Sequence, residues 1–172
     1  VEGNGQSELV EVLTGLREME EGSFIINGKQ VLSRNPKEIR KLGIAHVPED
    51  RLSTGLSKEA TLWENLLMGI QHEEPYAIKG IHMNKRRIME RTDRLIDEFD
   101  IRTPTGELPA GNLSGGNMQK MVIAREFSFN TPILIIAQPT RGIDVGAIEF
   151  VHSQIIEKRN KGAAILLVSA EL

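Results

Sequence analysis

The sequence predicts an α/β fold in which a mostly parallel sheet is covered by helices and carries an inserted helical subdomain. Residues 133–136 and 164–168 are apolar runs without a charged residue, and segments with helical periodicity alternate with such runs. Strands that are apolar throughout are typical of a parallel sheet with both faces buried. Between residue 49 and about residue 111 the chain is helical and charged, and this break in the alternation predicts the subdomain.

Before residue 49 the predicted elements are short and have clear boundaries. Gly15 is expected to end the first helix, Asn27-Gly28 is a strong hairpin signal, and Pro36 begins a brief helix. The elements are, in chain order, a helix at 7–13, strands at 23–26 and 30–32, a helix at 36–43 and a strand at 44–47.

After residue 49 the clearest element is a helix that starts at Asn84. Its apolar positions recur at helical spacing and form one face, made of Ile88, Thr92, Leu95, Ile96 and Phe99. The remaining predicted elements are a helix at 120–127, a strand at 133–136, a helix at 145–158 and a strand at 164–169.

Composition and charge exclude several functional classes. A net charge of -3 provides no basic surface for nucleic acid, so we expect no nucleic-acid partner. The absence of cysteine excludes disulfides and cysteine-based metal sites. No apolar run approaches the ~20 residues that a membrane-spanning helix needs. The chain starts at Val1 without a signal-peptide pattern, and we expect it to be a piece of a larger protein.

The segment Gly3-Asn4-Gly5-Gln6-Ser7 resembles the second half of a phosphate-binding loop, Gly-x4-Gly-Lys-Ser/Thr. Backbone N–H groups at a helix N-terminus bind phosphate, and Ser7 offers a hydroxyl as a weak Mg²⁺ ligand. Gln6 stands at the lysine position and brings no charge. Charge-assisted hydrogen bonds contribute about 1.5–3 kcal/mol, against about 0.5–1.5 for neutral ones. The loop therefore predicts weak nucleotide binding, although alone it is equally consistent with an ordinary turn before a helix.

Two further motifs follow later in the chain. Leu113-Ser114-Gly115-Gly116-Asn117 opens a helix with small residues that let a phosphate approach the backbone amides, and Ser114 adds a hydroxyl. The apolar run at 133–136 then ends in Ala137-Gln138-Pro139-Thr140 and continues to Asp144, which suits a helix N-cap. Each motif alone has a bland structural explanation, and their order and spacing argue against that explanation.

Together these motifs resemble the ATP-binding cassette (ABC) family of P-loop NTPases, over nearly the whole chain. The resemblance implies that 113–117 is the signature loop facing a partner's nucleotide and that 141–144, ending in Asp144, is the D-loop. Glu49 lies where the family has the glutamine that couples nucleotide to the membrane partner. Its carboxylate is expected to replace part of the magnesium ligation, and ATP and Mg²⁺ are the expected cofactors.

The same resemblance implies that four catalytic side chains are missing on this domain's own side. Gln6 replaces the phosphate-loop lysine, and Ala137 replaces the aspartate that holds Mg²⁺. Gln138 stands at the position of the glutamate base and Ala170 at that of the switch histidine. General-base catalysis is worth about 10²–10⁴-fold, so hydrolysis at this site is expected to be near background.

The motif variants are most similar to the second, degenerate cassette of tandem ATPases that energise bacterial import of ribose-type sugars and nucleosides. The Ala137-Gln138-Pro139-Thr140 form, with Gly146-Ala147-Ile148-Glu149 after it, resembles the nucleoside branch. The implied partners are the upstream cassette of the same protein and membrane-spanning permease subunits, at the cytoplasmic face of the bacterial plasma membrane. Residues 1–48 and 117–172 would form the ATP-binding core, incomplete at both ends, and 49–116 the helical subdomain ending in the signature loop.

Two alternatives stay open at this point. The domain could hydrolyse ATP itself, with Ser7, Glu49 and Gln138 in altered roles. It could also be a non-transport cassette of the kind that acts in chromosome maintenance or translation, a class marked by a basic surface or long coiled-coil insertions.

Overall fold

The computed structural model describes residues 4–31 and 35–170, so Gly3 of the phosphate loop lies outside the described residues. Its strands and helices alternate as expected for an α/β fold. The strands are β1 (Ile25–Ile26), β2 (Lys29–Gln30), β3 (Ile44–Val47), β4 (Ala77–Ile78), β5 (His82–Met83), β6 (Ile133–Ala137) and β7 (Ala164–Val168). The helices are α1 (Gln6–Thr14), α2 (Pro36–Lys41), α3 (Leu62–Leu67), α4 (Lys85–Glu98), α5 (Gly115–Ser128) and α6 (Val145–Asn160).

The central sheet is parallel and has the strand order β3-β6-β7. Ile44 pairs with Ile133, and Ile133 pairs in turn with Ala164, so the three strands begin level with one another. Their carboxyl ends therefore lie at one edge, where loops that follow parallel strands carry ligand sites. This confirms the predicted parallel sheet.

Glycines at left-handed positions end several helices where the sequence predicts. Gly15 has φ 77° after α1, and its amide donates to the carbonyls of Glu11 and Val12. Asn84, the predicted start of the long helix, is the N-cap of α4 and accepts the N–H of Arg87. Glycine tolerates positive φ at low cost, which explains why the chain turns at Gly15.

The region between β3 and α5 differs from its purely helical prediction. It contains a π-helical turn at 51–55, α3, α4 and a 3₁₀ turn at 110–112, but also an antiparallel hairpin of β4 and β5. Helices α3 and α4 pack against α5, and a single apolar cluster joins Leu62 and Leu95 to Leu134 and Ile136 of the sheet. The division at residues 48 and 116 stays a prediction.

A fully buried carboxylate ties α5 to the sheet and to α2. Glu126 accepts Arg40 Nη1 at 2.8 Å, Arg125 Nε at 2.8 Å and the backbone N–H of His46 at 3.2 Å. Burial by itself raises the pKa of Glu126, but the Arg125 and Arg40 guanidinium groups outweigh it and hold that pKa below its usual range. The carboxylate is therefore ionised and joins three elements.

His46, on β3, should make stability fall in mild acid. Burial lowers its pKa from 6.5 to about 4, and Arg40 and Arg125 add to the effect against the opposing charge of Glu126. Below pH 6.5 the unfolded chain binds a proton at His46 that the folded chain does not bind until about pH 4. The free energy of unfolding therefore falls by about 3 kcal/mol as the pH drops from 6.5 to about 4. The free energy of unfolding, measured with urea across this pH range, should fall less steeply with decreasing pH for His46→Leu than for the unchanged chain.

The matched control for this measurement is His152→Gln, because His152 is exposed on α6. The control should keep the full loss of stability in acid. Equal pH slopes for His46→Leu and the unchanged chain would contradict the assignment.

Candidate functional site

The phosphate-loop segment leads directly into α1. Gly5 occupies the N-cap with φ 86°, and Ser7 is exposed in the first turn. The Gln6 side chain folds back, since its Oε1 accepts the backbone N–H of Asn4 at 3.1 Å. The left-handed glycine at the start of the helix suits a phosphate, because N–H groups at a helix N-terminus point outward.

Glu49 links this loop to the segment after β6. Its Oε2 accepts Ser7 Oγ at 3.1 Å, and its Oε1 accepts Arg141 Nη1 at 2.7 Å. The sequence predicts Glu49 and Ser7 to belong to one site, and the fold brings them together. Arg141 was not predicted to take part.

The strand end at β6 carries no carboxylate. Ala137 is buried, and Gln138 follows in a left-handed conformation with φ 45°. Gln138 Oε1 accepts the backbone N–H of Ala170 at 3.0 Å, so its amide binds the segment after β7. Among the described residues, no group of three or more His, Asp or Glu side chains is arranged to hold a metal.

The signature segment is arranged around Ser114, the exposed N-cap of α5. Ser114 Oγ accepts the side-chain amide of Asn117 at 3.0 Å and its backbone N–H at 3.4 Å. Asn117 Oδ1 in turn accepts the backbone N–H of Arg102 at 2.9 Å. Because the Ser114 oxygen is the acceptor in these contacts, its hydroxyl hydrogen can be donated outward.

The second signature glycine lies against the N-terminus of α6. A Cβ at Gly116 would lie 2.9 Å from Asp144 Oδ2 and 3.1 Å from Ala147 Cβ, so only glycine fits without displacement. Asp144 is the N-cap of α6, as predicted, and accepts the backbone N–H of Ala147 at 2.9 Å. The predicted signature loop and D-loop are therefore in direct contact.

A cleft of about 510 Å³ borders the signature loop and the start of α6. Ser114, Gly116 and Asn117 line it on one side, and Asp144 and Phe150 on the other. Lys120 reaches in from α5 and pairs with Asp100 at 2.6 Å. Ser7 and Glu49 do not line this cleft, so the two segments predicted to bind phosphate lie at different helix starts, α1 and α5.

The sequence does not indicate the contacts that two arginines make in this region. Arg51 donates to the carbonyls of Arg141 and Gly142, at 2.7 and 3.1 Å, and Arg141 itself pairs with Glu49. Each contact joins residues about 90 positions apart in the chain. Local spacing carries no signal for such contacts.

A parallel sheet with a phosphate-loop helix and a signature helix defines a P-loop NTPase of the cassette type. A family model described as ABC transporter matches residues 1–141, and the chain belongs to that family. Within the described residues, no helix has the length and apolar character needed to cross a membrane.

Curated relatives align with the chain from end to end. It is 47% identical over 172 residues to the guanosine import ATP-binding protein NupO of Bacillus subtilis (strain 168), covering 100% of this chain and 34% of NupO. It is 41% identical over 172 residues to the nucleoside import ATP-binding protein NupA of Lactococcus lactis subsp. cremoris (strain MG1363), covering 100% and 34%. It is 35% identical over 170 residues to the ribose import ATP-binding protein RbsA of Bacillus subtilis (strain 168), covering 99% and 34%. The chain thus spans about a third of the length of these relatives.

Solved structures confirm the fold. The ATP-binding cassette MJ0796 in a dimeric post-hydrolysis state with ADP and Pi superposes with a TM-score of 0.80 at 20% identity, covering 99% of this chain and 72% of that one. An ATP-binding subunit of an ABC transporter superposes with a TM-score of 0.73 at 28% identity, covering 100% of this chain and 66% of that one.

Proposed function

We propose that this chain is a nucleotide-binding domain of an ABC importer ATPase for simple sugars or nucleosides. It binds ATP weakly at its own degenerate site and supplies the signature loop that completes the hydrolytic site of a partner cassette. One observation carries the proposal: the signature loop is complete and exposed at Ser114, while the end of β6 has Ala137 and Gln138 in place of two acids.

The signature loop acts through its donors. Ser114 and the first amides of α5 face outward from a 14-residue helix, whose N-terminus carries partial positive charge. Asn117 fixes the Ser114 oxygen by donating to it, and the hydroxyl hydrogen is then available to a phosphate oxygen. Such donors stabilise the charge that spreads over the transferring phosphoryl group in a partner's site.

This chain's own nucleotide site binds ATP but lacks the groups that hydrolyse ATP. Gln138 has no acidic oxygen to accept a proton from water, and its amide oxygen accepts the N–H of Ala170. Gln6 supplies no charge toward the phosphates, and its Oε1 accepts the N–H of Asn4. Turnover at this site is therefore slow even when ATP is bound.

Two oxygens of the own site fit Mg²⁺. Ser7 Oγ and Glu49 Oε2 lie 3.1 Å apart, near the ~3.0 Å that would separate adjacent ligands of an octahedral Mg²⁺ with bonds of about 2.1 Å. Mg²⁺ usually takes one or two protein oxygens together with substrate phosphates, and it neutralises phosphate charge when bound. Ser7 and Glu49 would hold it, and Ala137 contributes no ligand.

The names of the relatives support the substrate class and the partners. The relatives are called import ATP-binding proteins for guanosine, for nucleosides and for ribose, and those at 47% and 41% identity are both named for nucleosides. We infer a nucleoside or simple-sugar cargo carried by separate permease subunits. An upstream cassette of the same protein is the inferred partner, and the working location is the cytoplasmic face of the bacterial plasma membrane.

The own-site part of the proposal is tested by ATP binding and hydrolysis with this chain alone. Binding should be weak and should strengthen with Mg²⁺, and steady turnover should be absent. The triple variant Gln6→Lys, Ala137→Asp, Gln138→Glu restores the charged groups and should bind Mg-ATP at least about tenfold more tightly, since charge-assisted bonds replace neutral ones. Steady hydrolysis by the unchanged chain would contradict the proposal.

A further inference from the structure

A three-residue segment contacts two functional loops at once. Glu49 Oε2 accepts Ser7 Oγ of the phosphate loop at 3.1 Å. Arg51, two positions later, donates from Nη1 to the Arg141 carbonyl at 2.7 Å and from Nη2 to the Gly142 carbonyl at 3.1 Å. The own nucleotide site and the turn after β6 are thus connected through residues 49–51.

Arg51 also lies against the signature loop. A Cβ at Gly115 would meet Arg51 Nη2 at 3.1 Å and the Gly142 carbonyl oxygen at 3.4 Å. Arg51 Nε is buried and makes no hydrogen bond in the described part of the chain. The guanidinium is therefore held through its two terminal nitrogens and packs directly on the glycine that begins α5. The signature loop has no room to move toward the 141–142 turn without displacing Arg51.

Arg141 closes the network. Its guanidinium donates to Glu49 Oε1 at 2.7 Å, while its backbone carbonyl accepts Arg51 at 2.7 Å. A change at Glu49 therefore acts on the residue whose main chain positions Arg51. A nucleotide at Ser7 brings negative phosphate beside the Glu49 carboxylate, and this carboxylate must then pair with a cation or move.

The segment is stiff enough to transmit such a change. Asp50 Oδ1 accepts the backbone N–H groups of Leu52 and Ser53, at 2.8 and 3.3 Å, and caps the π-helical turn. Hydrogen bonds from Ser53 and Leu52 hold the pKa of Asp50 below its usual range. At the end of this turn, a Cβ at Gly55 would make an ordinary van der Waals contact of 3.5 Å with Val122 of α5. The turn therefore rests on the signature helix.

We propose that Arg51 is a positioning residue for the signature loop, and that Glu49 acts on that loop through Arg141 and Arg51. This inference rests on the proposed function, because it assigns a positioning contact to the loop that serves the partner's nucleotide.

The test uses the full-length ATP-binding protein with its permease and measures kcat and KM for ATP. Arg51→Ala should lower kcat at least about tenfold, because small misplacements of catalytic groups cost that much or more. KM should stay within about twofold, since ground-state binding is unaffected. Arg51→Lys should recover part of kcat, because lysine keeps the charge but loses the two-pronged donor. Unchanged kcat in Arg51→Ala would overturn the proposal.

The coupling is tested by a double-mutant cycle with Glu49→Gln. If Glu49 acts through Arg51, the double variant Glu49→Gln/Arg51→Ala should lose no more kcat than Arg51→Ala alone. Losses that simply multiply would overturn the coupling. Thermal unfolding of each variant checks the fold, and if Arg51→Ala does not fold, Arg51→Lys carries the test: a reduced kcat supports positioning and an unchanged kcat overturns it.

Ser114→Arg distinguishes this inference from the function on which it rests. If Ser114→Arg leaves turnover intact, the proposed function itself fails. If Ser114→Arg abolishes turnover and Arg51→Ala keeps full kcat, only the positioning role of Arg51 fails.

Discussion

Ser114→Arg should reduce ATP turnover of the full-length protein by about 100-fold or more, because it removes a phosphate donor and fills the space in front of it. Ser114 is exposed at the N-cap of α5, and its oxygen is set by Asn117 at 3.0 Å. An arginine there would project into the cleft of about 510 Å³ that Ser114 and Gly116 line. Steady-state ATP hydrolysis is the measurement.

The matched control is Ser23→Arg, which adds the same cation at an exposed position before β1. It should keep normal turnover. Loss of the N-cap costs about 1 kcal/mol, so Ser114→Thr, which keeps the hydroxyl and the cap, is measured as well. Ser114→Arg with normal turnover would show that hydrolysis does not need this loop, and the proposed division of labour would be wrong.

The central elements could be predicted because local pattern and tertiary structure agree there. Strands β6 and β7 are apolar runs of five residues, and β3 has His46 among three apolar residues. The positions of all three match the prediction within a residue at each end. The hairpin of β4 and β5 was missed because each strand has two residues and the loop between them lacks Asn or Asp. Lys79 and Gly80 both take positive φ there, and a lysine in the sequence does not indicate positive φ.

The site could be predicted where a motif is local and not where it depends on tertiary contacts. Motifs and their resemblance to the family placed Ser7, Glu49 and Ser114, and the fold brings Ser7 and Glu49 together. Spacing could not find Arg51, whose partner carbonyls lie 90 and 91 positions further along the chain. These contacts exist only because β3 and β6 are neighbours in the sheet, so that the loops after them meet.

The contacts of Glu126 are also tertiary and could not be predicted from local sequence. Its replacement is expected to have the largest effect on stability. Its side chain is fully buried and ionised, and it binds Arg40 and Arg125 at 2.8 Å each. Glu126→Ala leaves Arg125, itself buried, without its carboxylate. Removing one partner of a buried ion pair typically costs about 3–5 kcal/mol, because the remaining charge is uncompensated. Urea unfolding should show this loss.

Glu38→Ala is the matched control, since Glu38 pairs with Lys41 at 3.0 Å on the surface. Exposed pairs contribute about 0–1 kcal/mol, so this variant should unfold nearly as the unchanged chain does. A loss of less than about 1 kcal/mol for Glu126→Ala would contradict the buried network. The result bears on function because Glu126 accepts the backbone N–H of His46 in β3 and belongs to α5. The carboxylate thus anchors to the sheet the helix whose first residues are the signature loop, and a weakened anchor should disturb that loop as well as the fold.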